Sequence, residues 1–92
     1  MTDGVPLGDY MTATEQPRLP RRVTSSFVIT DRHGGTLGAV EWYGAWRGYC
    51  FFPEGRPVFN PDCLQRLAAF TALCTREHKM AARDALSTMD RP

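Results

Sequence analysis

The chain has 92 residues, of which 42% are hydrophobic and 23% are charged, and its formal net charge is +1. This length allows one small domain with a hydrophobic core, and the composition excludes a wholly disordered chain. A duplex-DNA binder normally carries a strong positive excess, because neutralising phosphates supplies most of its affinity. The balanced charge therefore argues against duplex DNA as a partner.

Residues 1–22 contain three prolines and two glycines and show neither helical nor strand periodicity. We therefore predict a flexible or loosely docked N-terminal arm over this range. The PRLPRR stretch at its end could be a basic arm that binds along a phosphate backbone, or it could be a solvated linker. Its three arginines are offset by three acidic residues upstream, which favours the linker.

Three segments that follow are rich in β-branched and aromatic residues, as strands are. They are VTSSFVIT (23–30), TLGAVEWY (36–43) and WRGYCFF (46–52). The DRHGG segment supplies two glycines for a hairpin turn, and Gly44 with Ala45 supplies a second tight connection. These segments predict a three-stranded antiparallel β-meander.

A long helix is predicted after the strands. Asn60 is a good N-cap, Pro61 suits the first helical position, and Asp62 lies favourably at the positive end of the helix dipole. We expect the helix to continue to about Leu86 and to present one apolar stripe, formed by Cys63, Leu64, Leu67, Phe70, Thr71, Cys74 and His78.

The predicted fold class is therefore α+β. A three-stranded meander is followed by one long amphipathic C-terminal helix, which packs on one face of the sheet. Residues 23–86 form the single domain, and residues 87–92 are a frayed C-terminus.

The segment EWYGAWRGYCFFP, residues 41–53, holds most of the aromatic side chains and is called here the aromatic run. Its last strand is apolar on both faces, and one helix can cover only one of them. We expect Tyr49 and Phe51 to pack against Leu67 and Phe70, while the arm or another chain covers the second face. The candidate binding residues are Trp42, Trp46, Arg47, Phe52 and Arg56.

Arg47 lies between Trp46 and Tyr49 at the start of the third predicted strand. It could stack on a ring or clamp an anion, as arginines do in nucleotide and single-stranded nucleic-acid sites. Alternatively, Arg47 pairs with Glu41 across the hairpin, which is the more ordinary arrangement.

Catalytic and metal chemistry find little support in the pattern. Cys50, Cys63 and Cys74 share no CxxC spacing, and two of them are eleven positions apart on one helix, about 16 Å along its axis. A Cys74–His78 dyad would lie on the packing face, where burial raises a thiol pKa and suppresses reactivity. We predict reduced thiols and no enzyme activity, cofactor or metal.

The sequence contains no apolar run of membrane-spanning length and no basic start followed by an apolar core. We therefore expect a soluble protein of the cytoplasm.

The stretch LGAVEWYGAWRGYCFFPEGRPVFNPDCLQRLAAF resembles a group of small proteins common in actinobacterial phages and prophages. The resemblance rests on a WYG, WR, YCFFP, VFNP and CL pattern and covers roughly residues 27–78. It implies an origin and not an activity: a phage-encoded protein would act in the cytoplasm of its host. Small accessory phage proteins commonly bind a host or defence component.

Three functions follow from these expectations. The leading hypothesis is a non-enzymatic phage-type accessory protein that binds a host or defence protein through an aromatic sheet surface, as a homodimer. The alternative is a small oligomer that sequesters a nucleotide or oligonucleotide with Arg47, Arg56 and the aromatic side chains. A weaker alternative is a binder of single-stranded nucleic acid.

Overall fold

The computed structural model describes residues 4–17 and 24–89, with side chains as far as Ala81. Five antiparallel strands form one sheet in chain order, and one helix follows them. The elements are β1 (Val5–Leu7), β2 (Met11–Glu15), β3 (Ser26–Asp31), β4 (Thr36–Tyr43), β5 (Gly48–Pro53) and α1 (Pro61–Met89).

The α+β class is confirmed, but the prediction of a three-stranded meander was wrong because the sheet has five strands. Strands β1 and β2 come from the segment predicted to be an arm. Met11 and Ala13 are 2% and 0% exposed, and Ala13 pairs with Ile29 of β3. These residues therefore belong to the core. The PRLPRR arginines and the last three residues lie outside the described residues.

The β3–β4 turn is held by the carboxylate of Asp31. Its Oδ1 accepts hydrogen bonds from the backbone N–H groups of His33 at 2.8 Å and Gly35 at 2.9 Å. Gly34 adopts a φ of 86°, which a glycine allows at no steric cost. The hydrogen bonds from Gly35 and His33 lower the pKa of Asp31 because they stabilise the charged carboxylate.

A register shift interrupts the β3–β4 ladder. Ile29 pairs with Gly38 but Thr30 pairs with Thr36, so Leu37 is an extra residue in β4. A Cβ atom on Gly38 would overlap the carbonyl oxygen of Phe52 and lie 2.7 Å from Cζ of the Phe51 ring. Glycine is therefore required where the bulged strand approaches β5.

Helix α1 begins as the sequence predicts. Oδ1 of Asn60 accepts a hydrogen bond from the backbone N–H of Cys63 at 2.8 Å, and Asp62 binds Arg66 one turn later at 2.8 Å. The helix continues to Met89, three residues past the expected end. In the predicted apolar stripe only Leu64 is mainly exposed, at 54%.

Helix α1 lies across one face of the sheet. Near its start Arg66 covers Gly8 in the β1–β2 turn, and farther along Thr75 bonds to Tyr49 of β5. Phe27 meets Phe70 edge-on, with 5.0 Å between ring centroids. The buried core lies between the two layers and consists of Leu7, Met11, Ala13, Ile29, Val40, Tyr49, Cys63, Leu67, Phe70 and Cys74.

Candidate functional site

Helix α1 covers only one of the two faces of the sheet. Alternate positions on one face, such as Ala13, Ile29 and Val40, are 0% exposed beneath α1. The intervening positions are at best half-buried, and no described element lies over them. This second surface, called the open face, comprises Thr12, Thr14, Ser26, Val28, Thr30, Ala39, Glu41, Tyr43, Cys50 and Phe52.

Part of the aromatic run belongs to the core. Trp42 meets Tyr49 edge-on at 5.7 Å between centroids and lies 4.5 Å from the ring of His78 on α1. The hydroxyl of Tyr49 accepts a hydrogen bond from the backbone N–H of Ser25 at 3.1 Å. These contacts fix Trp42 and Tyr49 against the helix.

The other part of the aromatic run lies away from the helix. The ring of Tyr43 is edge-on to Trp46 at 5.2 Å and to Phe52 at 6.0 Å. We call Tyr43, Trp46 and Phe52 the aromatic triplet. Their exposed fractions are 38%, 76% and 40%, so the three rings present a contiguous apolar surface at the β4–β5 end of the open face.

Such a surface is suited to contact with another macromolecule. Aromatic rings bring a large apolar area, and edge-on packing between them restricts their movement before binding. Contiguous exposed apolar patches on small proteins mark interaction sites, whereas scattered single residues do not. The half-buried threonines along β2 and β3 extend the same face with hydroxyl groups that can donate and accept hydrogen bonds.

The structure brings together only some of the predicted binding residues. Trp46 and Phe52 are joined through Tyr43, but Trp42 lies on the helix side and does not share their face. Arg47 occupies the β4–β5 loop with a φ of 53° and is exposed. Arg56 is exposed in the segment before α1.

The two arginines are close to opposite ends of β5. Strand rise is about 3.4 Å per residue, so the six residues of β5 separate its ends by roughly 17 Å. This separation disfavours a single pocket formed by both arginines and the aromatic triplet. Sequence reasoning missed Tyr43 as a surface residue, although its spacing from Ala39 and Glu41 along β4 carries that signal.

The cysteines are free, with Cys63 and Cys74 buried and Cys50 half-buried on the open face. Burial, supported by the nearby Glu77 and Glu15, raises the pKa of Cys74 to about 11, so its thiol is protonated at neutral pH. Among the described residues, no three His, Cys, Asp or Glu side chains gather in a way that could hold a metal ion.

None of the helices within residues 4–17 and 24–89 combines the length and the apolar character that crossing a membrane requires.

Comparison with known proteins finds similarity to a phage protein. The "Uncharacterized 9.3 kDa protein" of Acholeplasma phage L2 is 28% identical over 61 residues, which cover 65% of this chain and 78% of the phage protein. No protein-family profile matches the chain. No solved structure matches it either. The chain is thus similar to a small phage protein.

Proposed function

We propose that this chain is a small non-enzymatic phage accessory protein that binds another protein through the open face. The observation that carries this proposal is the aromatic triplet, in which the ring of Tyr43 contacts those of Trp46 and Phe52 while all three remain 38–76% exposed. Tyrosine and tryptophan are favoured at the energetic centres of protein interfaces. Similarity to a phage protein supports a host or defence protein as the partner.

A second copy of the chain is the other protein that this surface could accept. Two sheets pack face to face about 10 Å apart when their inner faces carry interdigitating side chains. The open face offers Val28, Ala39 and Phe52 for such a layer, flanked by threonines. A homodimer built in this way would bury the aromatic triplet of both copies.

Sequestration of a nucleotide receives less support from the geometry. That hypothesis needs Arg47 and Arg56 to line one pocket with the aromatic side chains. The two arginines instead flank β5 at its opposite ends. A base stacked on Trp46 would have at most one of them within reach of its phosphates.

Site-specific photocrosslinking tests the proposal. A photoreactive benzoyl-phenylalanine replaces Phe52 on the open face, and in a matched control it replaces Val58, which is 92% exposed outside that face. Both variants are illuminated first as purified protein and then in lysate of a bacterial host. Mass spectrometry identifies what each position captures.

We expect the probe at position 52 to yield a discrete adduct with a second copy or a partner protein, and the probe at position 58 to yield none. Trp46→Ala should reduce that adduct, because it removes the most exposed ring of the aromatic triplet. Equal capture from both positions, or none from position 52 in either setting, would contradict the proposal.

A further inference from the structure

A second candidate surface lies on the helix side of the sheet, away from the open face. It is a groove of about 700 Å³ between one flank of α1 and strand β5. Tyr49 forms its floor at the strand, and the helix supplies Ala72, Thr75, Arg76, Lys79 and Met80. We call this surface the α1 groove.

The floor of the α1 groove is fixed at two points. The backbone N–H of Tyr49 donates a hydrogen bond to Oγ1 of Thr75 at 2.8 Å, which ties the strand to the helix wall. The Tyr49 hydroxyl is held by the backbone N–H of Ser25 at 3.1 Å. The groove is therefore formed before anything binds, which reduces the entropy cost of binding.

The lining combines apolar surface with positive charge. Ala72 and Met80 contribute apolar side chains to the wall, and Met80 is 57% exposed. A methionine side chain adapts to apolar groups of different shapes. Arg76 and Lys79 are exposed and three positions apart on α1, so they lie on neighbouring parts of the helix surface. Within the described side chains, neither forms an ion pair.

We propose that the α1 groove binds an acidic segment of a partner protein. One apolar side chain of the segment packs against Ala72 and Met80. A neighbouring carboxylate is held by Arg76 and Lys79 through charge-assisted hydrogen bonds. Arg76 and Lys79, which form no ion pair with another described side chain, select an acidic segment over a neutral or basic one.

A protein segment fits this shape better than a small anion does. Small-molecule sites are clefts that enclose 70–90% of the ligand surface. The α1 groove is open to solvent, so a small ligand would keep much of its surface in water. A peptide chain can extend beyond the groove and make contacts on both sides of it.

The inference is independent of the proposed function. The open face and the α1 groove lie on opposite sides of the sheet and share no residue. Either surface could bind while the other does not. Variants of Phe52 and variants of Arg76 therefore separate the two proposals.

A random-peptide display library provides the test. The library is selected on the immobilised wild-type protein and, in parallel, on the double variant Arg76→Glu/Lys79→Glu. A matched control carries Arg32→Glu, which reverses an exposed charge in the β3–β4 turn. Enriched peptides are then synthesised with a fluorescent label, and their dissociation constants are measured by anisotropy.

We expect the wild-type protein and the Arg32→Glu control to enrich peptides that place Asp or Glu beside an apolar residue. The double variant should lose those peptides, with affinity lower by about tenfold or more, and should enrich Lys or Arg instead. Binding should perturb the NMR signals of Ala72 and Met80. The proposal fails if no peptides are enriched, if they show no acidic bias, or if the double variant retains the same bias.

Discussion

The hydroxyl of Thr75 accepts a hydrogen bond from the backbone N–H of Tyr49 at 2.8 Å and donates one to the carbonyl of Thr71 at 2.8 Å. One side chain therefore joins helix α1 to the main chain of β5, which is an edge strand of the sheet. An unpaired edge N–H is a site where another strand can add. Because the Tyr49 N–H is bonded to Thr75, it is not available to pair with an added strand.

Replacing this hydroxyl should destabilise the fold. Thr75→Val keeps the shape of the side chain but leaves the Tyr49 N–H without its partner in a partly buried position. We expect the free energy of unfolding to fall by about 1–3 kcal/mol, measured by urea denaturation. Thr71→Val is the control, because the Thr71 hydroxyl donates only within its own helix, to Ala68 at 3.0 Å. Equal losses in the two variants would contradict this account.

Gly38 should be far less tolerant of substitution than Gly44. Gly38→Ala places a methyl group against the Phe52 carbonyl and the Phe51 ring, and overpacking of this kind costs about 1–3 kcal/mol. Gly44→Ala meets nothing within 4 Å and should change stability by less than about 0.5 kcal/mol. Thermal melts of the two variants check the difference. A Gly38→Ala protein as stable as the wild type would show that the bulge can relax.

The two tryptophans should respond differently to truncation. Trp42→Ala removes a half-buried ring packed on Tyr49 and His78, and we expect a loss of about 2–3 kcal/mol, below the range for a fully buried ring. Trp46→Ala removes a ring that is 76% exposed and should alter stability by less than about 0.5 kcal/mol. Guanidinium denaturation measures both. The reverse order would mean that Trp46 belongs to the core.

Truncation of Met11 should lower the free energy of unfolding as much as truncation of a core residue in the central strands. It is 2% exposed in β2, and Met11→Ala leaves a cavity beneath α1 that should cost about 2–5 kcal/mol. The control is Tyr10→Ala in the adjacent turn, since Tyr10 is 41% exposed. Urea denaturation of both variants is the measurement. A negligible effect at Met11 would show that the N-terminal strands detach without loss to the core.

The protein should lose stability in alkali through Cys74. Burial raises the pKa of its thiol from 9.0 to about 11, so the unfolded chain releases the proton at a lower pH than the folded one. The contribution of this thiol is fully present below pH 9 and disappears as the pH rises through about 11. A shift of two pKa units corresponds to about 2.7 kcal/mol. Screening by solvent lowers the expected loss to the order of 1–2 kcal/mol. Urea denaturation across this range should show a shallower pH dependence for Cys74→Ala.

Local signals predicted β4 and the start of α1. The β4 segment is bounded by glycine-containing turns and matches the observed Thr36–Tyr43, and Asn60 caps the helix as its position indicates. Strand β2 was missed because its five residues are mostly small or polar, and nearby prolines obscure their alternation. Its position in the core depends on pairing with β3, which is a contact between distant parts of the chain.

The candidate site was only partly predictable because it depends on strand register. A connection of Gly44 and Ala45 alone would have set Trp42 opposite Arg47. The observed loop has four residues, so Trp42 pairs with Tyr49. Trp46, which was predicted to lie in the third strand, lies in the loop. Arg47 can end that loop because it adopts a positive φ of 53°. The length of the loop cannot be read from composition.

The chain has two tryptophans, Trp42 and Trp46, and their placement provides a separate fluorescent reporter for each side of the sheet. The indole of Trp42 lies against His78 of α1, so its emission follows the docking of the helix. The indole of Trp46 is in water and is open to a collisional quencher such as acrylamide. A partner on the open face would shield Trp46 and shift its emission to shorter wavelength, while a ligand in the α1 groove would leave it quenched as before.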